Sequence, residues 1–456
     1  MEAETHHSKG EWPMRVLIIT APVLNRGFHW IGPAYLKAFL QNKRDVAVST
    51  WNLNYDIEIP NSDVSAYWQH HARPEDFYNQ YRTHVDAWVE RILAHDPDIL
   101  GFSVWGTTKM ASLLLAEKVK KRDPRKIVVF GGFDCSLVGE EYIKSPHVDA
   151  VVRGEGELTL LDLADAVRET GSLRPAAGAL VKAGGSAVDG GWRPEIEDIN
   201  ELPFPDYSDY PGVEEELPLA TSRGCMWRCR YCNVFEHMKK ARVRSAENLY
   251  AEMRHHLERL PQVRRFGIGD ANGIMDVDMW DRLSDIIMAG GKPVSFSLWA
   301  SLRPRPGAEL LKKMRRAGCT AIGYGIETGS PRMKKAFGKS YFSMEEASEA
   351  LRDTHNAGIG TSINVIVGFP GETEEDFNDT MRWIEQNAKH IGEIPYIHIF
   401  RIIPKSPVHK HPFRHNLDTD DPNEMACYEH PEGKARASKA HELIKSYGIK
   451  VGTKVE

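Results

Sequence analysis

Cysteine is scarce. The chain holds 6 in 456 residues, three of them crowded into eight positions, so a disulfide framework is excluded. No stretch reaches the ~18 continuous apolar residues of a membrane span. Met1–Trp12 is polar and shows no apolar core of a secretory signal. Both features imply a cytoplasmic protein with no membrane partner. A basic excess is also missing: 58 Lys and Arg stand against 64 Asp and Glu, a formal net charge of -6. Nothing global attracts a phosphate backbone, so nucleic acid is not an expected partner.

What remains is the balance of a globular protein, 41% hydrophobic and 27% charged. The length exceeds the ~250–300 residues at which one core stops growing, so two or more domains are expected. Short β-branched runs at Met14–Ile19, Asp98–Val104, Lys126–Phe130 and Ala150–Val152 alternate with helical patterns at Pro33–Asn42 and Met110–Lys121. That order predicts a parallel sheet of Rossmann-like type with right-handed crossovers. Gly, Pro and acids dominate the following stretch, including Gly184-Gly185, Gly190-Gly191 and Leu202-Pro203-Phe204-Pro205-Asp206, which predicts a connector. Beyond it, strand candidates recur at Leu217–Ser222, Arg265–Gly269, Val294–Ala300, Thr320–Gly325, Ser362–Val367 and Tyr396–Ile402. Six such units make most of a parallel barrel that stops short of eight. The expected fold is therefore α/β: a Rossmann-like domain at 14–180, a connector at 181–216, a partial (β/α)6 barrel at 217–404 and a tail at 405–456 with one helix, Lys434–Tyr447.

The chemistry concentrates in Thr221-Ser222-Arg223-Gly224-Cys225-Met226-Trp227-Arg228-Cys229-Arg230-Tyr231-Cys232-Asn233, directly after a predicted strand. Iron–sulfur cubanes take thiolate ligands, usually four. A loop offering Cys225, Cys229 and Cys232 alone leaves one iron open, and an open iron can chelate S-adenosylmethionine for reductive cleavage to a 5'-deoxyadenosyl radical. A structural zinc site would want a second ligand pair, and Cys135, Cys319 and Cys427 are too dispersed to supply one.

With Tyr231 as its aromatic, this CxxxCxxC loop resembles the radical S-adenosylmethionine superfamily. Gly323-Tyr324-Gly325-Ile326-Glu327-Thr328-Gly329-Ser330 and Gly368-Phe369-Pro370-Gly371-Glu372-Thr373 resemble two later landmarks of the same superfamily. The resemblance covers roughly Leu217–Pro404. It implies a 4Fe-4S cluster on the three cysteines and S-adenosylmethionine beside it. Tyr231 would lie against adenine, Glu327 would hold the ribose or the amino end, Asn364 would reach ribose or adenine, and Asp270 would occupy the second-strand acidic position.

The first domain, with Ile31-Gly32-Pro33-Ala34-Tyr35-Leu36, Gly131-Gly132-Phe133-Asp134 and Val152-Arg153-Gly154-Glu155-Gly156-Glu157, resembles the cobalamin-binding-type domain that precedes many such enzymes. It has no DxHxxG signature. His29 in Gly27-Phe28-His29-Trp30 does not restore it, and Gly-Gly-Phe-Asp stands where relatives show Gly-Gly-Pro-His. The expectation is a domain of this type that goes without cobalamin, with corrinoid binding as the alternative. Trp105 would pack at the domain interface or face a ligand there. Trp299 would wall a pocket, Arg303 and Arg305 would offer anion sites, and His409, His411 and His415 would sit in a solvated loop.

Compact length, the degenerate first domain and the absence of a further cysteine motif make the chain resemble the radical diol dehydratases of aminoglycoside biosynthesis. Dehydration or deoxygenation of a 1,2-diol on an aminoglycoside sugar is accordingly the first functional expectation, served by an electron donor and a separate NAD(P)H-dependent reductase. A cobalamin-dependent methyltransferase of natural-product biosynthesis is the alternative. An iron–sulfur redox protein is the non-enzymatic one. No proton donor or acceptor is singled out.

Overall fold

A computed structural model describes residues 13–23, 31–58, 74–210, 216–421, 425, 428 and 430–452. Met1–Trp12, His29 and Cys427 lie outside the described residues.

The first domain is built on seven strands: β1 Met14–Thr20, β2 Val46–Asn52, β3 Ile99–Ser103, β4 Ile127–Gly131, β5 Ala150–Val152, β6 Ala179–Ala183 and β7 Ser186–Asp189, in the spatial order β2-β1-β3-β4-β5-β6-β7. The strands from β2 to β5 run parallel. Alternate residues of β1 supply two separate cores. Leu17 and Ile19 pack on one face, with Phe102 and Phe130, while Val16 and Ile18 pack on the other, with Tyr35 and Leu40. Burial on both faces is why β1 reads as a continuous apolar run.

Two sequence expectations change here. Strand β2 was not foreseen, because only Val46, Val48, Thr50 and Asn52 turn inward from an edge position. The expected boundary at 180 falls inside β6, since Gly184-Gly185 is the turn of the antiparallel hairpin β6–β7, with φ of 59° and 87°. Two positive φ values in a tight hairpin require glycine. The stretch after Asp189 is packed as well: Ile199 and Leu202 join the core of Val16 and Ile18, while Tyr207 and Tyr210 join the core of the second domain.

The second domain carries β8 Glu216–Leu219, β9 Ser222–Arg223, β10 Arg242–Val243, β11 Arg265–Ile268, β12 Phe296–Ala300, β13 Cys319–Glu327, β14 Gly360–Val367, β15 Glu393–Ile394, β16 Ile397–Ile399 and β17 Lys450–Val451. Its main sheet is parallel, ordered β17-β15-β14-β13-β12-β11-β8 with β16 also on β14. β8 and β17 occupy the two ends of that order, so the barrel is partial. The tail expected at 405–456 is integral to this domain. Its helix, Gly433–Ser446, buries Ala437, Ala440 and Ile444 in the barrel core, and β17 extends the sheet.

Along each barrel strand the two-residue period sorts the side chains. Phe266, Ile268, Leu298, Ala300, Ile322, Tyr324, Ile326, Ile363, Val365 and Val367 face the helices. The opposite, inner face therefore receives Gly267, Trp299, Gly323, Gly325, Glu327 and Asn364. Ion pairs join the domains, those of the two arginines buried. Arg223, on β9, reaches Glu155 at 2.7 Å and Glu157 at 2.5 Å, Arg242 reaches Glu155 at 2.9 Å, and Lys37 reaches Asp209 at 2.8 Å.

Candidate functional site

The three cysteines follow a glycine that the backbone demands. Gly224 has a φ of +80°, and a Cβ there would come within 2.2 Å of the Lys240 carbonyl. From Cys225 the loop is pinned on all sides. The Trp227 indole N–H donates to Ser301 Oγ and to the Arg303 carbonyl, each at 3.0 Å, and its ring stacks on Tyr341 with centroids 3.6 Å apart. Arg230 N–H donates to the Phe337 carbonyl at 2.9 Å, Val408 N–H to the Arg230 carbonyl at 3.0 Å, and Asn233 Nδ2 to the Pro404 carbonyl at 3.0 Å. Burial pushes all three thiols up, Cys232 to about 11. Cys225 senses Cys229, Cys232 senses both of the others, and the Lys339 ammonium opposes the rise at all three.

Beside the thiols stands a buried triad. The Tyr231 hydroxyl donates to Glu327 Oε1 at 3.1 Å, and Lys339 Nζ donates to the same oxygen at 3.2 Å and to the Gly325 carbonyl at 2.6 Å. Burial alone would lower the Lys339 ammonium, but the Glu327 carboxylate outweighs it and the group is held well above its ordinary range. Burial, then the same carboxylate, drives the Tyr231 phenol up. Glu327 ends β13 with a φ of +70°, where the register against β14 slips. A non-glycine residue held in that region is strained. Tyr231 and Glu327, expected as separate contacts, thus meet directly. Lys339 was not foreseen; it lies in a turn after the helix Pro331–Ala336, where no periodicity points to it.

The other expected residues divide. Asn364 is on the inner face, and its Oδ1 is buried with no hydrogen-bond partner. Trp299 crosses the interior towards β13, so close that a Cβ on Gly323 would meet its ring at 2.5 Å. His398, paired in register with Ile366, shares the face of Asn364; burial lowers its imidazole, and the Glu327 charge opposes that. No motif or periodicity in the sequence singles out His398.

Asp270 is not hydrogen-bonded to the triad. Its Oδ2 accepts from Thr221 N at 2.9 Å, from Ser222 Oγ at 2.9 Å and from Thr221 Oγ1, which ties the end of β11 to the shoulder of the cysteine loop. Burial pushes its carboxyl up to about 6. Glu372 accepts from Gly368 N at 2.7 Å and Arg436 Nη1 at 2.9 Å, locking the Gly368–Thr373 turn to the C-terminal helix. Arg303 pairs with Glu346, and Arg305 with Glu349 at 3.4 Å, so both guanidinium groups are engaged by carboxylates rather than held open for an anion. No three His, Cys, Asp or Glu side chains among the described residues close round a single-ion site, His409, His411 and His415 included.

At the carboxyl edge of the first sheet, where open α/β sheets hold ligands, Trp105 stacks on Phe133 at 5.1 Å. Phe133 in turn meets His237 of the second domain at 4.9 Å. Burial holds the His237 imidazole down at about 4, and its Nδ1 has no partner. Thr107 Oγ1, from the same loop as Trp105, is also buried and unpartnered.

Residues 219–384 match the model of the Radical SAM superfamily, and residues 18–164 match that of the B12 binding domain. The chain thus joins an N-terminal parallel-sheet domain of B12-binding type to a radical SAM domain. An uncharacterized methyltransferase of Pyrococcus horikoshii is 29% identical over 307 residues, spanning 64% of this chain and 64% of that relative. The alignment therefore leaves more than a third of the relative uncovered. Among solved structures, the radical S-adenosylmethionine methyltransferase TsrM from Kitasatospora setae superposes with a TM-score of 0.66 at 16% identity, covering 86% of this chain and 74% of that one. The cobalamin-dependent S-adenosylmethionine radical enzyme OxsB gives 0.66 at 17%, covering 96% and 56%. At those identities the likeness is one of fold. These findings do not support the narrower resemblance to aminoglycoside diol dehydratases, and the match to the B12 binding domain speaks against the expectation of a corrinoid-free first domain.

Proposed function

We propose that this chain is a cobalamin-dependent radical S-adenosylmethionine enzyme that transfers a methyl group to a small-molecule substrate. The observation that carries it is the convergence of three thiols in one loop on the buried Tyr231–Glu327–Lys339 triad, below a domain of B12-binding type. When bound, the cluster and S-adenosylmethionine would supply a carbon radical and cobalamin a transferable methyl group.

The residues fit these groups. Cys225, Cys229 and Cys232 would ligate three irons of a cubane. Glu327, pre-set by strain and by two hydrogen bonds, would accept from the ribose or amino end of S-adenosylmethionine, and Tyr231 would lie against it. The orphaned Oδ1 of Asn364 is an acceptor awaiting a donor. Trp299 and His398 would wall the substrate side and exclude water from the radical. On the first domain, the Trp105, Thr107 and Phe133 edge facing His237 would contact the corrinoid. Its unpartnered polar atoms suit a ligand with amide groups.

Dehydration of an aminoglycoside, favoured by the sequence, gives way to methyl transfer because the relatives named above are methyltransferases or a cobalamin enzyme, and the separate reductase goes with it. The test is anaerobic reconstitution with iron, sulfide and hydroxocobalamin, followed by reduction with S-adenosylmethionine and mass spectrometry. One retained corrinoid per chain and 5'-deoxyadenosine are expected. Nucleoside without retained corrinoid would restore dehydration; neither would end the radical reading.

A further inference from the structure

Trp299 lies flat against its neighbouring strand. A Cβ on Gly323 would meet three consecutive atoms of its benzo ring, Cε3, Cδ2 and Cζ3, at 2.5, 2.6 and 2.7 Å, so the face of the indole rather than its edge rests on β13. The backbone beneath it is fixed as well, since the Gly273 N–H donates to the Trp299 carbonyl at 2.8 Å. The second face of the ring is turned to the barrel interior, where the side chain is only half-buried. On the side away from Gly323 the neighbouring strand gives no cover. Gly269 follows Ile268, which is in register with Leu298, and a Cβ on Gly269 would meet nothing within 4 Å among the described residues. Gly323 and Gly325 share one face of β13 a single pleat repeat apart, about 6.6 Å, and Lys339 donates to the Gly325 carbonyl. The free face of the indole thus looks into open space directly below the Tyr231–Glu327–Lys339 triad.

The charges around that space are paired. Glu327 and Lys339 neutralise each other, Arg303 and Arg305 are engaged by Glu346 and Glu349, and Asp270 is turned to Thr221 and Ser222. Burial holds His398 towards its neutral form. An ion placed there would lose its hydration and gain no counter-charge. A polyol would find glycines at 269, 323 and 325 where its hydroxyls need polar partners, whereas a second π-system gains both burial and a stacked contact. We propose that the methyl acceptor presents a flat, uncharged aromatic or heteroaromatic ring, which stacks on Trp299 below the triad. The inference rests on the methyl-transfer reading of this site and names its substrate class.

Quinoline is the probe, titrated by calorimetry into the oxidised, reconstituted enzyme loaded with hydroxocobalamin and S-adenosylmethionine, beside quinoline-4-carboxylate and methyl glucoside. Quinoline should bind at least about tenfold more tightly than either. Trp299→Leu, which keeps an apolar side chain and loses the ring, should weaken quinoline by about tenfold, while Trp299→Phe should stay within about threefold of the parent. Gly269→Val, which fills the open side, should weaken it likewise and decides the matter if Trp299→Leu takes up no iron. Equal binding of quinoline and methyl glucoside would overturn the proposal, as would no binding of quinoline, or parent affinity in Trp299→Leu. Quinoline that binds only when S-adenosylmethionine is left out would assign the space to the cofactor and overturn it too. Corrinoid retention and 5'-deoxyadenosine are measured on the same preparations: their loss with quinoline still held by Trp299 would end the methyl-transfer reading and leave the ring site standing.

Discussion

Glu327 holds a conformation that costs on the order of 1–3 kcal/mol for a residue with a side chain, and two donors on its Oε1 keep it there. Replacing Glu327 by Gln removes the counter-charge of Lys339, an ammonium that is only 3% exposed. The cluster absorbance should survive, while affinity for S-adenosylmethionine, measured by equilibrium dialysis, should fall by about tenfold or more. Unchanged affinity would remove Glu327 from the cofactor site. His237 gives a pH signature. Its folded pKa of about 4 lies below the ordinary 6.5, so the unfolded chain binds more protons between those values. The stability that neutral His237 contributes is present above about pH 6.5 and is lost as pH falls towards 4, by up to about 3 kcal/mol. Asp270 runs the other way. Its pKa, raised from 3.8 to about 6, favours the folded state at low pH, and that advantage is lost as pH rises through 6. Urea midpoints of the parent and of His237→Phe between pH 4.5 and 7.5 should therefore diverge, with the variant losing less stability in acid. Parallel curves would mean that His237 is not buried neutral.

The hairpin β9–β10 sets where Cys225 begins, and Gly224 is the element's weak point. Gly224→Ala must move the Lys240 carbonyl, 2.2 Å from the new Cβ, besides paying for a positive φ. A loss of at least about 1–3 kcal/mol and lowered iron content after reconstitution are expected, read by thermal unfolding and iron assay. A variant with full iron and parent stability would show that the loop has freedom the hydrogen bonds deny it. At this scale the sequence was legible where pattern is local. The cysteine spacing, the buried parallel strands and the helix at 433–446 all carry signals within a few residues. β2 alternates at a sheet edge and was missed. The β6–β7 turn reads as the start of a connector because its glycines, which signal a turn, also signal a linker. Lys339 was invisible for a different reason: only the slipped end of β13 and a short helix bring it back to Glu327.

The joint between the domains was the least legible feature, since even the partners of its arginine–glutamate clamp lie 66 to 87 residues apart. Arg223 stands two positions before Cys225, and its carboxylate partners Glu155 and Glu157 open a helix of the first domain at the ligand-bearing edge of its sheet. The clamp therefore ties the cysteine loop to the B12-type domain rather than merely gluing two surfaces. Buried pairs add little net stability over apolar packing, but removing one member strands the other charge at about 3–5 kcal/mol. Glu155 serves two guanidinium groups, Arg223 and Arg242, with all three side chains at least 87% buried. Glu155→Ala should thus split one thermal transition into two and expose the 190–210 segment to protease. The double variant Glu155→Ala, Arg242→Met should recover part of the loss, because Arg223 keeps Glu157 and the guanidinium left without Glu155 is gone. If Glu155→Ala melts in one step at the parent temperature, the domains are held by their apolar contacts, and the clamp neither fixes their register nor carries the position of Cys225 relative to the first sheet.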